Sequence, residues 1–246
     1  HSAWWGPAVV VPGQSMAQIL FIEKSLPGVI FVNKQGKRFS NEAAPYQDYG
    51  TNAYKKTSDG HDNVPAYAIF DANYRHKYIF GPVIQGEYMP DSRLSGRYKK
   101  GFLNTADTIA GVADLLDINS AELEKTVADF NVMAKAGKDD DFNRGGNLHD
   151  RYYGDQQNKP NECLAPLDKG PYYGVNVYPG DLGTKGGVLT NEHAQVLTEQ
   201  GDIIEGLYAI GNTSASVMGS SYPGAGSTLG PAMTFGYIAA QHIAQC

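Results

Sequence analysis

With only two cysteines in 246 residues, Cys163 and Cys246, the chain carries no disulfide framework, and their separation matches no metal or redox spacing. That usage fits a reducing, cytoplasmic compartment. The six histidines are scattered without ligand spacing, so none is assigned to a metal. No apolar run approaches the ~18–20 residues of a membrane span. Positive charge is scarce: Lys and Arg total 20 against 26 Asp and Glu, a net charge of -6. With no basic cluster to override it, that balance argues against nucleic-acid binding as the main business. A Gly-x-Gly-x-x-Gly fingerprint is missing as well. The nearest approach, Gly224-x-Gly226-x-x-x-Gly230, is one residue too long, so no dinucleotide-type strand–loop–helix is expected in this chain. No internal repeats are expected, and nothing in the opening residues reads as a signal peptide. The chain opens at His1 and runs straight into Trp4-Trp5 and an apolar run, which reads as the middle of a folded unit within the C-terminal part of a longer protein.

What is there is an ordinary globular composition, 41% hydrophobic and 19% charged, with sixteen tyrosines against nine phenylalanines. Such a surplus suits a cavity or interface where flat apolar rings carry useful hydroxyls. The stretch 14–26 reads as a short helix or strand, and 29–41 as a hairpin turning at Lys34-Gln35-Gly36-Lys37. Next comes a helix or loop carrying Tyr46 and Tyr49, then a buried strand over 65–71. The Tyr-, Gly- and Pro-rich 73–101 segment, with Arg97, Lys99 and Lys100, reads as a mobile cap and a candidate for lipid contact. Helices are predicted over 105–116, capped by Thr105, and 119–136, with a capping box at Ser120 and Leu123/Glu124 and a stop at Gly137. The run 138–146 has three aspartates but no twelve-residue calcium pattern with a closing glutamate, so an exposed polar loop is expected. From 171 to 197 the pattern is of paired strands, and Gly201-Asp202 forms a hairpin turn.

The chain's organising stretch is 206–240. A short apolar strand from Leu207 to Ile210 ends at Gly211-Asn212 and gives way to small, polar and glycine residues broken by one aromatic, Tyr222. A helix follows, with Ser227 or Thr228 as N-cap, Pro231 in its first turn, and Met233, Tyr237 and Ile238 at helical spacing. So much glycine and serine lets backbone N–H groups lie close to something flat or anionic, with the positive end of the helix dipole behind them. A reduced flavin is such an object. A tight small-residue packing contact between strand and helix fits the same pattern.

Four segments, taken in order, resemble the 3-ketosteroid Δ1-dehydrogenases of the fumarate reductase/succinate dehydrogenase-like flavoprotein group. They are GKRFSNEAAPY at 36–46, PYYGVNVYPGDLGTKGG at 171–187, GLYAIGNTSASVMG at 206–219 and SSYPGAGSTLGPAMTFGYIAA at 220–240, preceded by AWWGP at 3–7. The resemblance implies an α+β chain. It would combine an inserted catalytic domain of mixed sheet and helices, residues 8–178, with the C-terminal portion of a Rossmann-like FAD-binding domain, residues 179–246 plus 1–7. It implies FAD as cofactor, a companion N-terminal FAD-binding segment or chain, and an external electron acceptor. Gly211, Asn212, Ser227, Thr228 and Leu229 would be the flavin contacts.

The implied reaction desaturates the C1–C2 bond of a 3-ketosteroid by removing a proton from C2 and a hydride from C1, the latter to flavin N5. The C2 proton is only mildly acidic, so the C3 ketone needs donors in a dry pocket, worth about 3–4 kcal/mol each. The resemblance gives that role to the Tyr222 hydroxyl and the Gly226 N–H, with Pro223 stiffening the turn between them, and the role of proton acceptor to Tyr46. A free tyrosine, with a pKa of about 10, is a poor base near neutrality, so its proton must be passed on or its pKa lowered. By pattern alone a tyrosine after a proline is a packing or rim residue. Glu42 reads as structural, holding the loop that presents Tyr46, while Tyr88, Tyr173 and Tyr178 fit either a steroid pocket or an ordinary core. Two other functions remain open. A flavin reductase of a small unsaturated acid needs cations for a carboxylate, yet no Arg or His lies between Gly206 and Gly236. The other is a non-catalytic fragment or binding module.

Overall fold

A computed structural model describes residues 3–56, 60 and 62–245. It divides into two compact units, Gly6–Gly180 and His1–Trp5 with Asp181–Cys246. The larger contains, in chain order, β2 (Gln18–Ile19), β3 (Val29–Val32), α1 (Tyr46–Ala53), β4 (Ala66–Phe70), α2 (Ala72–Lys77), α3 (Gly96–Lys99), β5 (Asn104–Ala106), α4 (Ile109–Leu116), α5 (Ser120–Ala136) and α6 (Leu148–Tyr152). Two strands run across the division, β1 (Ala3–Val9) and β6 (Tyr172–Thr184). The smaller unit adds β7 (Gln195–Leu197), β8 (Ile203–Tyr208), a short 3-10 turn at Gly211–Thr213 and α7 (Leu229–Ile243). The class is α+β. Among the described residues no helix is long and apolar enough to cross a membrane.

The main sheet has the order β2-β1-β6-β4-β3, with β5 also pairing with β6. β4 lies between β3 and β6: Ala68 faces Phe31 of β3 on one side and Val175 of β6 on the other, both antiparallel. Every residue of β3 and β4 is buried, because both faces of the sheet are covered. Val29, Phe31, Ala68 and Phe70 point into one core with Tyr49, Tyr74 and Phe102. Ile30, Val32, Tyr67 and Ile69 point into a second core beneath α4 and α5, with Val112, Leu123, Val127 and Phe130. Fully burying such a side chain contributes about 1.5–3 kcal/mol. The register of α4 over the sheet is set by Gly174, where a Cβ would stand 2.4 Å from Leu116 Cδ1 and 2.7 Å from Val112 Cγ1.

The strand predicted over 65–71 and the helix predicted over 119–136 are both present, and Gly137 ends the helix in the left-handed region at φ 74°. The caps differ. Thr105 lies in β5, which pairs with β6, and the helix begins three residues later with Thr108 accepting from the Gly111 N–H. Asn119 rather than Ser120 caps α5, through the Glu122 N–H. At 29–41 the turn forms, with Asn33 Oδ1 accepting from the Gln35 and Lys37 N–H groups, but the return strand is a single bridge, Val32 to Arg38. The 73–101 segment is a folded lobe. The buried Arg75 side chain ties it together by donating to Asp91 at 2.9 Å, Ile84 O at 2.8 Å and Met89 O at 2.6 Å.

In the smaller unit β7 and β8 form the expected hairpin, and Gly201 takes φ 93° at its turn. The helix expected after the glycine-rich loop is present as α7. Met233 and Tyr237 face outward, at 74% and 65% exposure, while the inner face is built from small residues. A Cβ on Gly211 would stand 3.2 Å from Ala232 Cβ, and one on Gly236 would stand 3.3 Å from Ile210 Cδ1. Backbones this close leave no room for large side chains between them.

Candidate active site

Tyr46 is the first residue of α1, half-buried, with its ring edge-on to Phe21 at 5.8 Å. A Cβ on Gly6 would stand 3.7 Å from it, so glycine there leaves the tyrosine its room. The loop that delivers Tyr46 is pinned from below at each turn of its backbone. Asn41 Oδ1 accepts from the Ala43 N–H at 2.8 Å, and Asn41 Nδ2 donates to Asp150 at 2.9 Å. Lys24, only 2% exposed, donates its ammonium to the Glu42 carbonyl at 2.9 Å and to the Ala44 carbonyl. Glu42, fully buried, accepts from Arg38 Nε and Nη2 at 2.8 and 2.7 Å, from Arg144 Nη1 at 3.2 Å and from the Phe31 N–H at 3.2 Å.

The Glu42 assignment as the holder of this loop matches its contacts. Burial by itself would raise the Glu42 carboxyl, but the Arg38 and Arg144 guanidiniums outweigh it and hold the group below the ordinary carboxylate range. Burial has the opposite effect on Lys24, and with help from Arg144 it brings the ammonium down to about 7. Arg38 also grips Asp139 at 3.1 and 2.8 Å and lies between the Phe130 and Phe142 rings, each centroid 5.0 Å away. Arg144 donates further to Val29 O at 2.7 Å, Leu26 O at 2.8 Å and Lys24 O at 3.2 Å. The loop 138–146 is therefore not simply exposed. Asp139 and Arg144 are 2% and 1% exposed, because their partners come from residues about a hundred positions earlier. Sequence reading missed Lys24, Arg38 and Arg144; the only local signal was charge set beside apolar runs.

The smaller unit holds the remaining predicted residues. Gly211, Asn212, Ser227 and Thr228 line one narrow recess with Trp4 and Lys185. Gly226 and Ser227 also line a wider cleft of about 500 Å³, with Gly224, Ala225, Gly230, Pro231 and Phe235. Leu229 begins α7 and is 69% exposed. Thr228 occupies the N-cap position but makes no side-chain cap bond; Ser227 instead turns its hydroxyl to Gly224 O. Tyr222 is half-buried, its ring edge-on to Trp4 at 5.8 Å. Trp4 Nε1 in turn donates to Asn212 Oδ1 at 3.3 Å.

These residues fit a flat ligand. Gly224 and Gly226 take φ 134° and 93°, and a Cβ on either, or on Gly230, would meet no protein atom within 4 Å. The space a side chain would fill there is open, and bare backbone faces it. Among the described residues no acceptor takes the Gly226 N–H. None of the cleft-lining residues is cationic. Of the tyrosines left between pocket and core, Tyr173 belongs to the core: it stacks on Phe70 at 5.3 Å and donates to Asp91 at 2.6 Å. Tyr88 is 66% and Tyr178 38% exposed. Cys163 is a buried thiol pushed up to about 11 by its surroundings, burial first, and donates to Asp150 O at 3.1 Å, which suits structure rather than nucleophilic chemistry. Among the described residues no group of three His, Cys, Asp or Glu is placed to hold a metal.

A family model described as "FAD binding domain" matches residues 1–229. The 3-oxosteroid 1-dehydrogenase of Mycobacterium tuberculosis is 46% identical over 98% of this chain and 43% of that protein. The 4-oxocyclohex-2-ene-1-carboxylate 5-dehydrogenase of Sinomonas cyclohexanicum is 39% identical over 98% of this chain and 40% of its own length. Among solved structures, the 3-ketosteroid delta1-dehydrogenase from Sterolibacterium denitrificans, in complex with 1,4-androstadiene-3,17-dione, matches with a TM-score of 0.95 at 49% identity, over 99% of this chain and 43% of that one. The likeness read from four sequence segments thus extends over nearly the whole chain, which itself spans less than half the length of these relatives.

Proposed function

The chain belongs to the FAD binding domain family, and from that premise we propose that it forms the substrate domain and the C-terminal flavin-binding part of a flavin-dependent 3-oxosteroid 1-dehydrogenase. The observation that carries this reading is the similarity to 3-oxosteroid 1-dehydrogenases along nearly the full chain. The open, bare-backbone loop supports it independently. Gly211, Asn212, Ser227, Thr228 and Leu229 would hold FAD, and when bound the flavin would take the C1 hydride.

The chain's own residues have three tasks. The Tyr222 hydroxyl and the Gly226 N–H donate to the C3 oxygen, so that charge building there as C2 loses its proton is met by fixed dipoles. Tyr46 takes the C2 proton on its phenolic oxygen as its own proton is passed on to a neighbouring hydroxyl. It stands on a loop whose carbonyls and carboxylate are held by Lys24, Arg38 and Arg144, which gives a reacting phenol the fixed position that proton transfer demands. The small-residue cleft admits a flat apolar ligand. A carboxylate-bearing substrate fits less well, since the residues that line the cleft offer it no cation.

The companion N-terminal segment and the external acceptor belong to the same reading. Leu229, Met233 and Tyr237 recur every fourth residue along α7 and leave an apolar stripe in the open, as a helix does when another part of its domain covers it. The test is anaerobic mixing of the flavin-loaded protein with 4-androstene-3,17-dione or with fumarate as control. The steroid should bleach the oxidised flavin band within the mixing experiment while fumarate leaves it unchanged. A flavin that stays yellow with the steroid overturns the assignment.

A further inference from the structure

Lysine is among the residues least often buried, because its ammonium gives up strong hydration. Lys185 is 2% exposed. Its Nζ donates to the Ser221 carbonyl at 2.8 Å and lies 4.1 Å from the centroid of the Trp4 ring. Both contacts lead to one residue. The Ser221 carbonyl belongs to the peptide that enters Tyr222, and Trp4 is the ring that Tyr222 meets edge-on, 73° from parallel. Trp4 is itself anchored through Nε1 to Asn212.

The loop needs such a grip. Its own hydrogen bonds run from Ser221 N and Oγ back to Met218 O, and from Ser227 N to Gly224 O. On either side of Tyr222, Gly219, Gly224 and Gly226 take φ 58°, 134° and 93°, a backbone with many accessible alternatives. The backbone around Tyr222 therefore has freedom that a side-chain contact can restrict. A fixed cation beneath the preceding peptide restricts where that peptide, and the tyrosine after it, can sit.

We infer that Lys185 is a positioning residue for the proposed dehydrogenation, acting through Tyr222 by clamping the Ser221 carbonyl and the Trp4 ring. The inference rests on the reading of Tyr222 as the ketone donor. It is tested in the flavin-loaded protein with Lys185→Met, Tyr222→Phe and the double variant, using 4-androstene-3,17-dione. Lys185→Met should lower kcat roughly 10- to 100-fold, with KM and flavin occupancy nearly unchanged, since orientation is lost and binding is not. In the Tyr222→Phe background the same change should add no further loss, because residues that act through one another are not additive. Lys185→Arg, which keeps the charge but misplaces the donor, should fall between. Full activity in Lys185→Met, or a loss that multiplies with that of Tyr222→Phe, overturns the inference and leaves the site reading standing. Full activity in Tyr222→Phe removes the site reading and this inference together. Loss of flavin from both Lys185 variants makes Lys185 a folding residue and also overturns it.

Discussion

The two units of this chain bury apolar surface in opposite ways. The larger has two cores, one on each face of its sheet, and its big side chains are inside: Phe31, Phe70, Tyr74 and Phe130 are at most 1% exposed. Among the described residues of the smaller, the buried hydrophobics are Ala3, Trp4, Ala194, Val196, Ala209 and Ala239, mostly small. Its larger ones, Leu207, Leu229, Met233 and Tyr237, are 47–74% exposed. A unit that leaves its large residues outside gains little from the hydrophobic effect on its own. The larger unit has the means to specify its own fold; the smaller leaves its large apolar residues open.

That contrast is sharpened first where the effect is largest. Arg144 in the larger unit satisfies three carbonyls and shares Glu42 with Arg38. Arg144→Met should cost about 3–5 kcal/mol, because it leaves buried acceptors unpaired and part of a buried charge uncompensated. Urea midpoints measure it, and a loss under about 1 kcal/mol would show that the buried cluster is not what holds the Tyr46 loop.

On the proposed reading of Tyr222 as ketone donor, Tyr222→Phe in the smaller unit should do the reverse, lowering kcat by about 10²–10³. Its urea midpoint should stay with the parent's. Activity within tenfold of the parent would count against Tyr222 as the ketone donor.

Next in size is a pH effect confined to the larger unit. Lys24 is held down to about 7 in the folded protein, while in the unfolded chain it titrates near its ordinary value of about 10.4. Between those values the unfolded state binds a proton that the folded state does not, so this residue makes stability rise with pH from about 7 toward 10.4. Its slope is at most about 1.4 kcal/mol per pH unit, and it vanishes below 7, where both states are protonated. The stability of the parent relative to Lys24→Met should therefore improve across pH 7 to 10, and a difference that is flat over that range would refute it.

The smallest effects separate two residues alike in exposure. Met233 on α7 is 74% exposed and Leu148 on α6 is 86% exposed. If the α7 stripe is covered by a companion segment, Met233→Ser should cost about 1–2 kcal/mol in the complete flavoprotein, seen as faster loss of flavin on gel filtration. Leu148→Ser should stay within about 0.5 kcal/mol. Equal behaviour of the two would mean that the stripe is open to solvent.

Much of the larger unit was readable along the chain, because continuous apolar runs such as Ala66–Phe70 and a long periodic helix such as Ser120–Ala136 carry their own signal. Caps were less legible: Thr105 and Thr108 both suit one, and pairing of 104–106 with β6 chose between them. The glycine-rich stretch and its helix stood out by composition, and so did Tyr222 within it. The lysine and tryptophan beside Tyr222 did not, since Lys185 lies 36 residues from the Ser221 carbonyl it binds and Trp4 lies at the far end of the chain from the Tyr222 ring it meets.

Periodicity and composition by themselves determined where the main strands and helices run and which loop offers bare backbone to a ligand, because those properties are local. The tertiary structure decided which charges are buried and which face of α7 turns inward. A guanidinium at 144 is buried only because carbonyls at 24, 26 and 29 come to meet it. The small side of α7 faces in only because Gly211 and Ile210 approach its backbone too closely for a methionine. Both outcomes depend on partners that no stretch of neighbouring residues contains.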